Sequence, residues 1–534
     1  MRICLISREY PPETGFGGIA TFVRHLAHGL KELGNEVEVV ALAKETEKVV
    51  DDDGVKVHRV LPYKLEGDLD AVNRCMPYSR YVLLTTLGLW RKFHELHRAN
   101  PFDVAESPEL LAESIYASVT RVVPLVVRLY TPHSKFIAEN LHNTAATFDH
   151  LFVAMLERVA MAGADVLTCP SQDLAEFVAG DLPCPIESIS IVRNPIDPDE
   201  FSPEGPLTIA KDDKIKVLFV GRLEERKGIQ FLVDAIPSVL KECPNTQFII
   251  IGDDTINASG GQRSQLADLK DTLRAAGCEG NVTFIPRIPL SELPAYYRSA
   301  DISVVPSLYD NSPYTCLEAM SCGRAVIGTS AGGTREYIED GESGVIVPPR
   351  DSQAIAGAII KLIKEPEYRQ YLSKNARQRV MDKFQRKKIA QETMKLYETA
   401  IQRHQVNQHS LYRRPSEQAV PDAAVMLYCM DRMIYNLMYQ ESYRFRLSYW
   451  LHHMMHRPRL FFAKLSLALC KALSKPFNRR PDQAPALVRW LENQVRSKQD
   501  NPLQKVIDEA NRLNVGTANM HGNSAQAERE LTRR

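Results

Sequence analysis

Short apolar runs alternate with segments of helical periodicity from residue 2 to residue 192. The apolar runs predict buried strands, and the 3.6-residue repeats between them predict helices such as 19–33, 80–98 and 148–160. This alternation is typical of a doubly wound parallel sheet with helices on both faces. We predict strands at 2–7, 36–42, 55–61, 104–106, 125–130, 166–170 and 189–192.

The same alternation starts again at residue 216 and predicts a second α/β half. At 534 residues the chain is long enough for two or three domains, each with its own core. Strands are predicted at 216–220, 247–252, 282–286, 302–305 and 325–329, and helices at 229–240, 354–363, 368–384 and 388–403. We predict α/β domains at 1–205 and 206–385, a helix at 386–404, a linker at 405–419, a helical extension at 420–495 and a polar, disordered tail at 496–534.

The composition excludes several classes of protein. Lysine plus arginine equals aspartate plus glutamate at 66 each, so no overall field favours nucleic acid or a membrane surface. The ten cysteines show no Cys-x-x-Cys spacing, which favours a reduced, cytoplasmic protein over a disulfide framework. A strand begins at the N-terminus without a signal-peptide pattern, and no uncharged apolar run is long enough to span a membrane. We therefore predict a cytoplasmic protein with no nucleic-acid partner.

The segment 302–349 carries the clearest candidate chemistry. The predicted strand 302–305 ends at Pro306, and a turn-rich loop leads to a helix that opens at Leu317 and stops at Gly323. Asp310 and Glu318 lie across this loop, at the carboxyl end of a parallel strand where ligands bind. Amides at a helix start favour an anion, and carboxylates accept bonds from hydroxyls. The combination predicts a phosphorylated, hydroxyl-rich ligand.

Two glycine-rich loops follow strands and point to the same ligand. Gly221 and Gly228 bracket a loop that holds Arg222 and Lys227, and these cations suit a diphosphate leaving group, although such a loop can also be a solvated turn. In the first half, the loop 9–18 contains Gly17 and Gly18 before a helix. It lacks the Gly-x-Gly-x-x-Gly fingerprint of NAD sites, so it is either a flexible turn or a place of close backbone approach to a ligand.

The candidate residues fall into an ordered series of motifs: Asp310-x7-Glu318-Ala319-Met320-x-x-Gly323, Gly332-Gly333-x-x-Glu336, Asp340-Gly-x-x-Gly344 and Gly221-Arg222-x4-Lys227-Gly228. This series resembles the donor-site signature of family 4 glycosyltransferases. The resemblance covers about residues 1–405 and implies the GT-B fold, in which two Rossmann-like domains face each other across a cleft and the helix 386–404 crosses back to the first. A similar linker motif closes the first half, Asn194-x-x-Asp197-x3-Phe201.

The resemblance also implies roles for individual residues. Arg222 and Lys227 would clamp the diphosphate, and the backbone of Ile288 would read the base. Glu318 would accept bonds from the ribose hydroxyls. Asp310 stands where relatives usually have glutamate and would contact the donor sugar. The glycine pair Gly17 and Gly18 would face the donor phosphate and the acceptor.

Two departures from the family pattern lie close to these residues. Relatives often have Gly-Phe-Gly where this chain has Asn-Ser-Pro at 311–313, so the donor contacts are expected from Tyr314, Thr315 and Cys316. Many relatives carry a histidine where this chain has Tyr130, and His133 follows three residues later. His133 is either a polarising or hydroxyl-binding group in the site or a loop histidine without a role.

The resemblance implies transfer of a sugar from a nucleotide diphosphate sugar to an acceptor hydroxyl with retention of configuration, in glycan, polysaccharide or glycolipid biosynthesis. No metal or cofactor is expected, because Arg222 and Lys227 would neutralise the leaving group; Asp253 and Asp254 are therefore not interpreted as a metal site. The alternative is a catalytically silent scaffold that binds sugar nucleotides. An epimerase or phosphorylase is less favoured, since the corresponding signatures are absent from the sequence.

The segment 420–480 is rich in methionine, tyrosine and arginine, and 459–475 reads as a basic amphipathic helix. Such a helix can lie in a membrane interface, here at the inner face, with its lysines toward anionic lipid. It can equally pack as an appended helical domain or mediate self-association, and this second interpretation is favoured.

Overall fold

The computed structural model describes residues 1–15, 17–65, 70–138, 147–182, 184–209, 212–257, 263–407 and 454. The chain divides into two compact units, Met1–Pro62 with Gly88–Arg413 and Tyr63–Leu87 with Arg414–Arg534. In the second unit the described helical residues include Asp70–Cys75 and the first part of the helix Pro77–Ala99. The predicted helical extension and tail lie outside the described residues except for Met454, as does the linker from residue 408 onward.

The first unit contains an eight-stranded sheet in its N-terminal half, with the order β3-β4-β2-β1-β5-β6-β7-β8. Every neighbouring pair is parallel except β3 and β4. The sequence did not predict β3, because this exposed edge strand lacks the buried apolar positions that reveal the others. The strands are β1 Arg2–Ile6, β2 Glu36–Leu42, β3 Lys48–Asp52, β4 Val55–Val60, β5 Val104–Pro108, β6 Leu125–Arg128, β7 Val166–Cys169 and β8 Ile189–Ile191.

A second, six-stranded sheet follows, with the order β13-β10-β9-β14-β15-β16, and all its strands are parallel. Its inner strands are almost continuously apolar, as expected for a sheet covered by helices on both faces. The strands are β9 Ile215–Val220, β10 Thr246–Ile251, β13 Val282–Ile285, β14 Ile302–Val305, β15 Ala325–Thr329 and β16 Val345–Val347; a separate hairpin is formed by β11 Ile256–Asn257 and β12 Arg263–Ser264.

Helices connect the strands of both sheets, and the predicted α/β fold class with two parallel-sheet halves is confirmed. The helix predicted around Leu317 begins earlier, at Tyr314, directly after Pro313. The helices are α1 Gly18–Glu32, α2 Asp70–Cys75, α3 Pro77–Ala99, α4 Ile115–Thr120, α5 His133–Ala138, α6 Phe148–Ala162, α7 Gln172–Asp181, α8 Ile229–Glu242, α9 Gln265–Ala275, α10 Leu293–Ser299, α11 Tyr314–Ser321, α12 Thr334–Tyr337, α13 Ser352–Lys364, α14 Pro366–Lys383 and α15 Arg386–Asn407.

The last helix, α15, follows the second half in sequence but packs on the first. The hydroxyl of Tyr397 donates to Glu106 at 2.7 Å, and His404 lies 3.0 Å from Asp165. A Cβ atom on Gly29 of α1 would lie 2.7 Å from the carbonyl oxygen of Arg386, so only glycine allows the two helices to approach this closely. Within the described part of the chain, no helix combines the length and hydrophobicity needed to cross a membrane.

Candidate active site

A cleft of about 400 Å³ lies between the two halves of the first unit. Its walls come from loops at the carboxyl ends of strands in both sheets, which is where open parallel sheets bind ligands. The described residues that line it include Gly17, Gly18, Thr21, Leu110, Tyr130, Thr131, Phe136 and Asn194 from the first half, and Gly221, Arg222, Arg226, Lys227, Asp253, Ile288, Tyr309, Asp310, Asn311, Ser312, Tyr314, Thr315 and Glu318 from the second.

The wall from the second half depends on a glycine that no other residue could replace. Gly228 has φ +68°, and a Cβ atom there would lie 1.9 Å from the carbonyl oxygen of Pro306. This close approach brings the loop after β9 against the loop after β14, its neighbour in the sheet. As a result, Lys227 Nζ lies 2.5 Å from Asp310 Oδ2.

Asp310 is a charged group in the free site. Burial by itself would raise the pKa of Asp310, but the nearby Lys227 and Arg226 outweigh burial and hold the pKa below its ordinary value. Arg226 Nη1 lies 3.8 Å from Asp310 Oδ2. The side chain of Arg222 remains 53% exposed, with Nη2 3.3 Å from Glu224. The loop therefore presents two cations close to Asp310, Lys227 and Arg226, and a third, Arg222, that is more exposed.

Glu318 lies on α11 and is 4% exposed. Its Oε2 accepts a bond from the hydroxyl of Tyr297 at 2.7 Å. Burial raises the pKa of Glu318 to about 7, and the bond from Tyr297 opposes this increase. The carboxyl group therefore exchanges its proton close to neutral pH, and a ligand that donates hydrogen bonds to it would favour the ionised form.

Two cleft glycines of the first half, Gly17 and Gly18, lie in less crowded surroundings than Gly228. Gly17 precedes α1 with φ −107°, and a Cβ atom there would meet nothing within 4 Å. A Cβ atom on Gly18 would make an ordinary contact of 3.7 Å with Tyr314. Neither the backbone nor packing demands glycine at these two positions, so the missing side chains leave room in the cleft.

Asn311, one of the departures from the family pattern, connects the two walls. Its Nδ2 donates to Thr131 Oγ1 at 2.5 Å and also to the carbonyl oxygen of Tyr130. In the opposite direction, Asn194 Nδ2 donates to the carbonyl oxygen of Ser312 at 3.2 Å. The segment where relatives often have glycine is therefore held against the first half by side-chain amides.

Tyr130 and His133 are placed differently. Tyr130 lines the cleft, and its amide donates to both oxygens of the Glu109 carboxylate at 2.8 Å. His133 is the first residue of α5; it is buried, and its Nε2 lies 2.7 Å from Nδ1 of His150. Burial lowers the pKa of His133 to about 4, and His150 adds to the effect. The structure does not place His133 among the described lining residues, and a catalytic role for it stays a prediction.

The other predicted donor contacts also divide into residues that line the cleft and one that does not. Tyr314, Thr315 and Ile288 line the cleft, and the first two open α11. Cys316 is fully buried, and its amide donates to the carbonyl oxygen of Pro313 at 3.1 Å. Cys316 is therefore not brought to the described surface of the cleft.

The aspartate pair after β10 has local structural partners. Asp253 lies 3.3 Å from Arg287, and Asp254 accepts bonds from Ser264 Oγ at 2.6 Å and from the amide of Leu266 at 2.8 Å. Asp254 thereby stabilises the start of α9, which is an ordinary structural use of a carboxylate.

Sequence reasoning missed four residues that shape the site. Arg226 sits beside Lys227 in the same motif, and Asn194 lies inside the linker motif, so both had a visible signal. Asn311 was noted only as a departure. Tyr297 had no signal, because its pairing with Glu318 joins positions 21 residues apart on separate elements.

Two parallel-sheet halves facing a common cleft define the GT-B class of glycosyltransferases, and comparison with known proteins agrees. Residues 16–200 match the family model for Glycosyltransferase Family 4, and residues 207–379 match that for Glycosyl transferases group 1. An uncharacterized glycosyltransferase of Methanocaldococcus jannaschii is 29% identical over 75% of this chain and 99% of its own length. The glycogen synthase of Mycobacterium tuberculosis is 26% identical over 74% of this chain and 94% of its own.

Solved structures show the same fold. Sucrose-phosphate synthase from Thermosynechococcus elongatus superposes with a TM-score of 0.60 at 21% identity, covering 77% of this chain and all of that one. Anabaena HepE, in a structure with UDP and glucose, gives a TM-score of 0.56 at 19% identity over 75% of this chain and all of its own. The chain belongs to the family 4 glycosyltransferases of GT-B fold, as its motifs predicted.

Proposed function

We propose that this glycosyltransferase moves a sugar from a nucleotide diphosphate sugar to an acceptor hydroxyl with retention of configuration and without a metal ion. The observation that carries the proposal is the contact between Lys227 and Asp310. Lys227 belongs to the loop that also holds Arg222, and all three residues line the cleft. It places a cation for the diphosphate beside a carboxylate for the sugar. Structures of HepE contain UDP, UDP with glucose, or UDP-glucose, which supports a donor of this class.

The Lys227–Asp310 contact acts in this proposal as an exchangeable pair. When the donor enters, the diphosphate attracts Lys227, and the released Asp310 carboxylate accepts bonds from hydroxyls of the sugar. Each charge keeps a partner before and after binding, so the site avoids leaving a half-buried charge alone. Arg222, which also lines the cleft and is more exposed, adds a further cation for the diphosphate.

Glu318 and Ile288 hold the nucleoside in this arrangement. The Glu318 carboxylate accepts bonds from the ribose hydroxyls while Tyr297 keeps it oriented through the 2.7 Å bond. Ile288 also lines the cleft, and in this proposal its backbone contacts the base. The open amides of Tyr314 and Thr315 at the start of α11 complete the donor contacts.

The proposed step breaks the bond between the anomeric carbon and the β-phosphate oxygen, and a bond to the acceptor oxygen forms on the same face of the sugar. The proton of the acceptor hydroxyl passes to the departing phosphate oxygen. Lys227 and Arg222 neutralise the charge that develops on that diphosphate. Asp310 and Glu318 position the donor through its hydroxyls in this step and do not act as nucleophiles.

Thermal shift with UDP-, GDP- and ADP-sugars in the presence of EDTA tests the donor and the absence of a metal together. We expect a stabilising shift with one donor that is lost in Lys227→Ala. Turnover assays with that donor, with and without EDTA, then test the reaction. Binding without turnover of any acceptor would favour the silent scaffold, and activity that EDTA abolishes would overturn the metal-free mechanism.

A further inference from the structure

The side chain and backbone of Arg226, a cleft residue, are held at three points. Its Nη2 donates to Glu224 Oε1 at 2.8 Å, and its Nη1 donates to the carbonyl oxygen of Tyr309 at 3.0 Å. The backbone adds a third bond, because the carbonyl oxygen of Arg226 accepts from the amide of Leu308 at 2.8 Å. The Arg226 guanidinium is therefore fixed between its own loop and the loop that follows β14.

Lys227, the next residue, is held by a single charged group. Its Nζ lies 2.5 Å from Asp310 Oδ2, and no other carboxylate of the described residues forms an ion pair with it. A lysine ammonium group on a flexible four-carbon chain moves easily, whereas hydrogen bonds from two sides hold a planar guanidinium in place. The two neighbouring cations therefore differ in mobility, and Lys227 is the one that a ligand can attract away from Asp310.

Asp310 depends on both cations for its charge. Arg226 Nη1 lies 3.8 Å from the same carboxylate oxygen that Lys227 contacts, and the side chain of Asp310 is only 14% exposed. Burial would raise the pKa of Asp310, but attraction by Lys227 and by Arg226 lowers it below its ordinary value. Because a buried carboxylate without a cation is costly, the departure of Lys227 requires a second positive charge that stays.

We propose that Arg226 is a positioning residue, the fixed counter-charge of Asp310 that allows Lys227 to transfer to the diphosphate of the donor. This inference rests on the proposed function and adds a residue at one of the four variable positions of the loop motif, residue 226. When Lys227 turns toward the diphosphate, the Arg226 guanidinium stays beside the Asp310 carboxylate. It keeps that carboxylate ionised until the sugar hydroxyls reach it.

The proposal predicts what happens when Arg226 loses its charge. Lys227 becomes the one cation beside Asp310, so the carboxylate holds it more tightly and competes with an entering diphosphate. A nucleoside diphosphate without a sugar reveals this competition, because it attracts Lys227 but brings no sugar hydroxyls to Asp310. Removing the charge of Asp310 ends the competition, and the contribution of Arg226 should then largely disappear.

A double-mutant cycle on the full-length chain tests this coupling. Calorimetric titration with UDP, GDP and ADP identifies the diphosphate that the wild type binds and measures its affinity for Arg226→Gln, Asp310→Asn and the double variant. We expect Arg226→Gln to weaken binding about tenfold in the wild type, but less than about threefold in the Asp310→Asn background. An equal loss in both backgrounds would overturn the proposal, because Arg226 would then act on the diphosphate or on the fold independently of Asp310.

Arg226→Lys separates the charge from the shape of the side chain. Lysine retains a positive charge but lacks the planar fork that bonds Glu224 and Tyr309. We expect this variant to bind the diphosphate within about threefold of the wild type, even where Arg226→Gln lowers the free energy of unfolding. A loss in Arg226→Lys as large as that in Arg226→Gln would contradict the role of Arg226 as a counter-charge.

Arg274→Gln on α9 is the matched control. Arg274 also contacts two carboxylates, with Nη1 2.8 Å from Asp271 and Nη2 3.4 Å from Glu279, but it is exposed and is not among the described residues that line the cleft. Its affinity for the diphosphate should equal that of the wild type. A loss equal to that of Arg226→Gln would contradict the proposal, since any surface arginine would then have the same effect.

The outcomes keep this inference apart from the proposed function. If the wild type binds a nucleoside diphosphate and the cycle shows no coupling, the role of Arg226 is wrong and the proposed donor class stands. If the wild type binds none of the three diphosphates and no donor sugar shifts its melting temperature, the proposed function is contradicted, and the role of Arg226 is contradicted with it.

Discussion

The two walls of the cleft are built on different physical principles. The wall from the second half is crowded and charged: Gly228 allows two loops to touch, and Lys227 and Asp310 form an ion pair there. The wall from the first half is open near Gly17, where a side chain would meet no protein atom. The difference indicates that one wall has fixed charges held in place by packing, whereas the other leaves space within the cleft.

Removing Lys227 from the charged wall should lower turnover more than any other substitution considered below. Lys227→Ala leaves the diphosphate without its nearest cation, and we expect turnover to fall by about two powers of ten or more, with a similar loss in Arg222→Ala. Lys364→Ala, which removes an exposed ion pair with Glu242, is the control and should keep wild-type turnover. Steady-state kinetics with the donor identified by thermal shift measure this turnover. Turnover at the wild-type level in Lys227→Ala would contradict the role of Lys227 in neutralising the diphosphate.

Adding a methyl group to each wall tests the comparison directly. Gly228→Ala combines φ +68° with a 1.9 Å approach to Pro306, so we expect at least about 2 kcal/mol lower free energy of unfolding. Gly17→Ala meets no atom and should unfold like the wild type, but the methyl group enters the cleft and should lower turnover about tenfold. Denaturant unfolding and kinetics on both variants make the test. Equal destabilisation by the two substitutions would show that the walls do not differ in this way.

Neutralising Glu318 should weaken nucleotide binding about tenfold, since a charged acceptor of hydrogen bonds is lost. Calorimetry on Glu318→Gln measures this, and Tyr297→Phe, which keeps the carboxyl group, should lose less. Because the pKa of free Glu318 is about 7 and ribose hydroxyls favour the ionised form, wild-type affinity should be complete above that pH and fall as the pH decreases below it. Binding by Glu318→Gln should be flat over the same range; a wild-type profile equally flat would contradict the role of Glu318.

The smallest change in kinetics is expected for Asn311, whose side chain connects the two walls. Asn311→Gly removes the bonds to Thr131 and Tyr130 without a change of charge. We expect the donor KM to increase about three- to tenfold, because the halves must be ordered by the donor itself. Asn245→Ala is the control, since its amide bonds Asp213 within the second half at 2.8 Å. An unchanged KM in Asn311→Gly would mean that the connection does not support the donor-binding arrangement.

Much of the fold was predictable because its signals are local. Strands such as β2, β14 and β15 coincide with their predicted bounds, since a buried parallel strand is a continuous apolar run between turn residues. The elements that were not predicted lack such local signals. β3 is exposed, and α5 is a six-residue helix whose periodicity is too short to recognise. The cleft followed the same rule: motif residues such as Arg222, Lys227 and Glu318 line it, whereas the distant partner Tyr297 was not predicted.

The sequence by itself determined the class of the protein, because strand and helix periods and the glycine and charge spacings of the cleft loops are local properties of the chain. Only the tertiary structure decided which groups meet. Lys227 and Asp310 are 83 residues apart and touch because β9 and β14 are neighbours in the sheet. Asn311 reaches Thr131 across 180 residues, and the His133 ring lies against His150. Such pairings depend on the order of strands and the packing of helices, which no local pattern encodes.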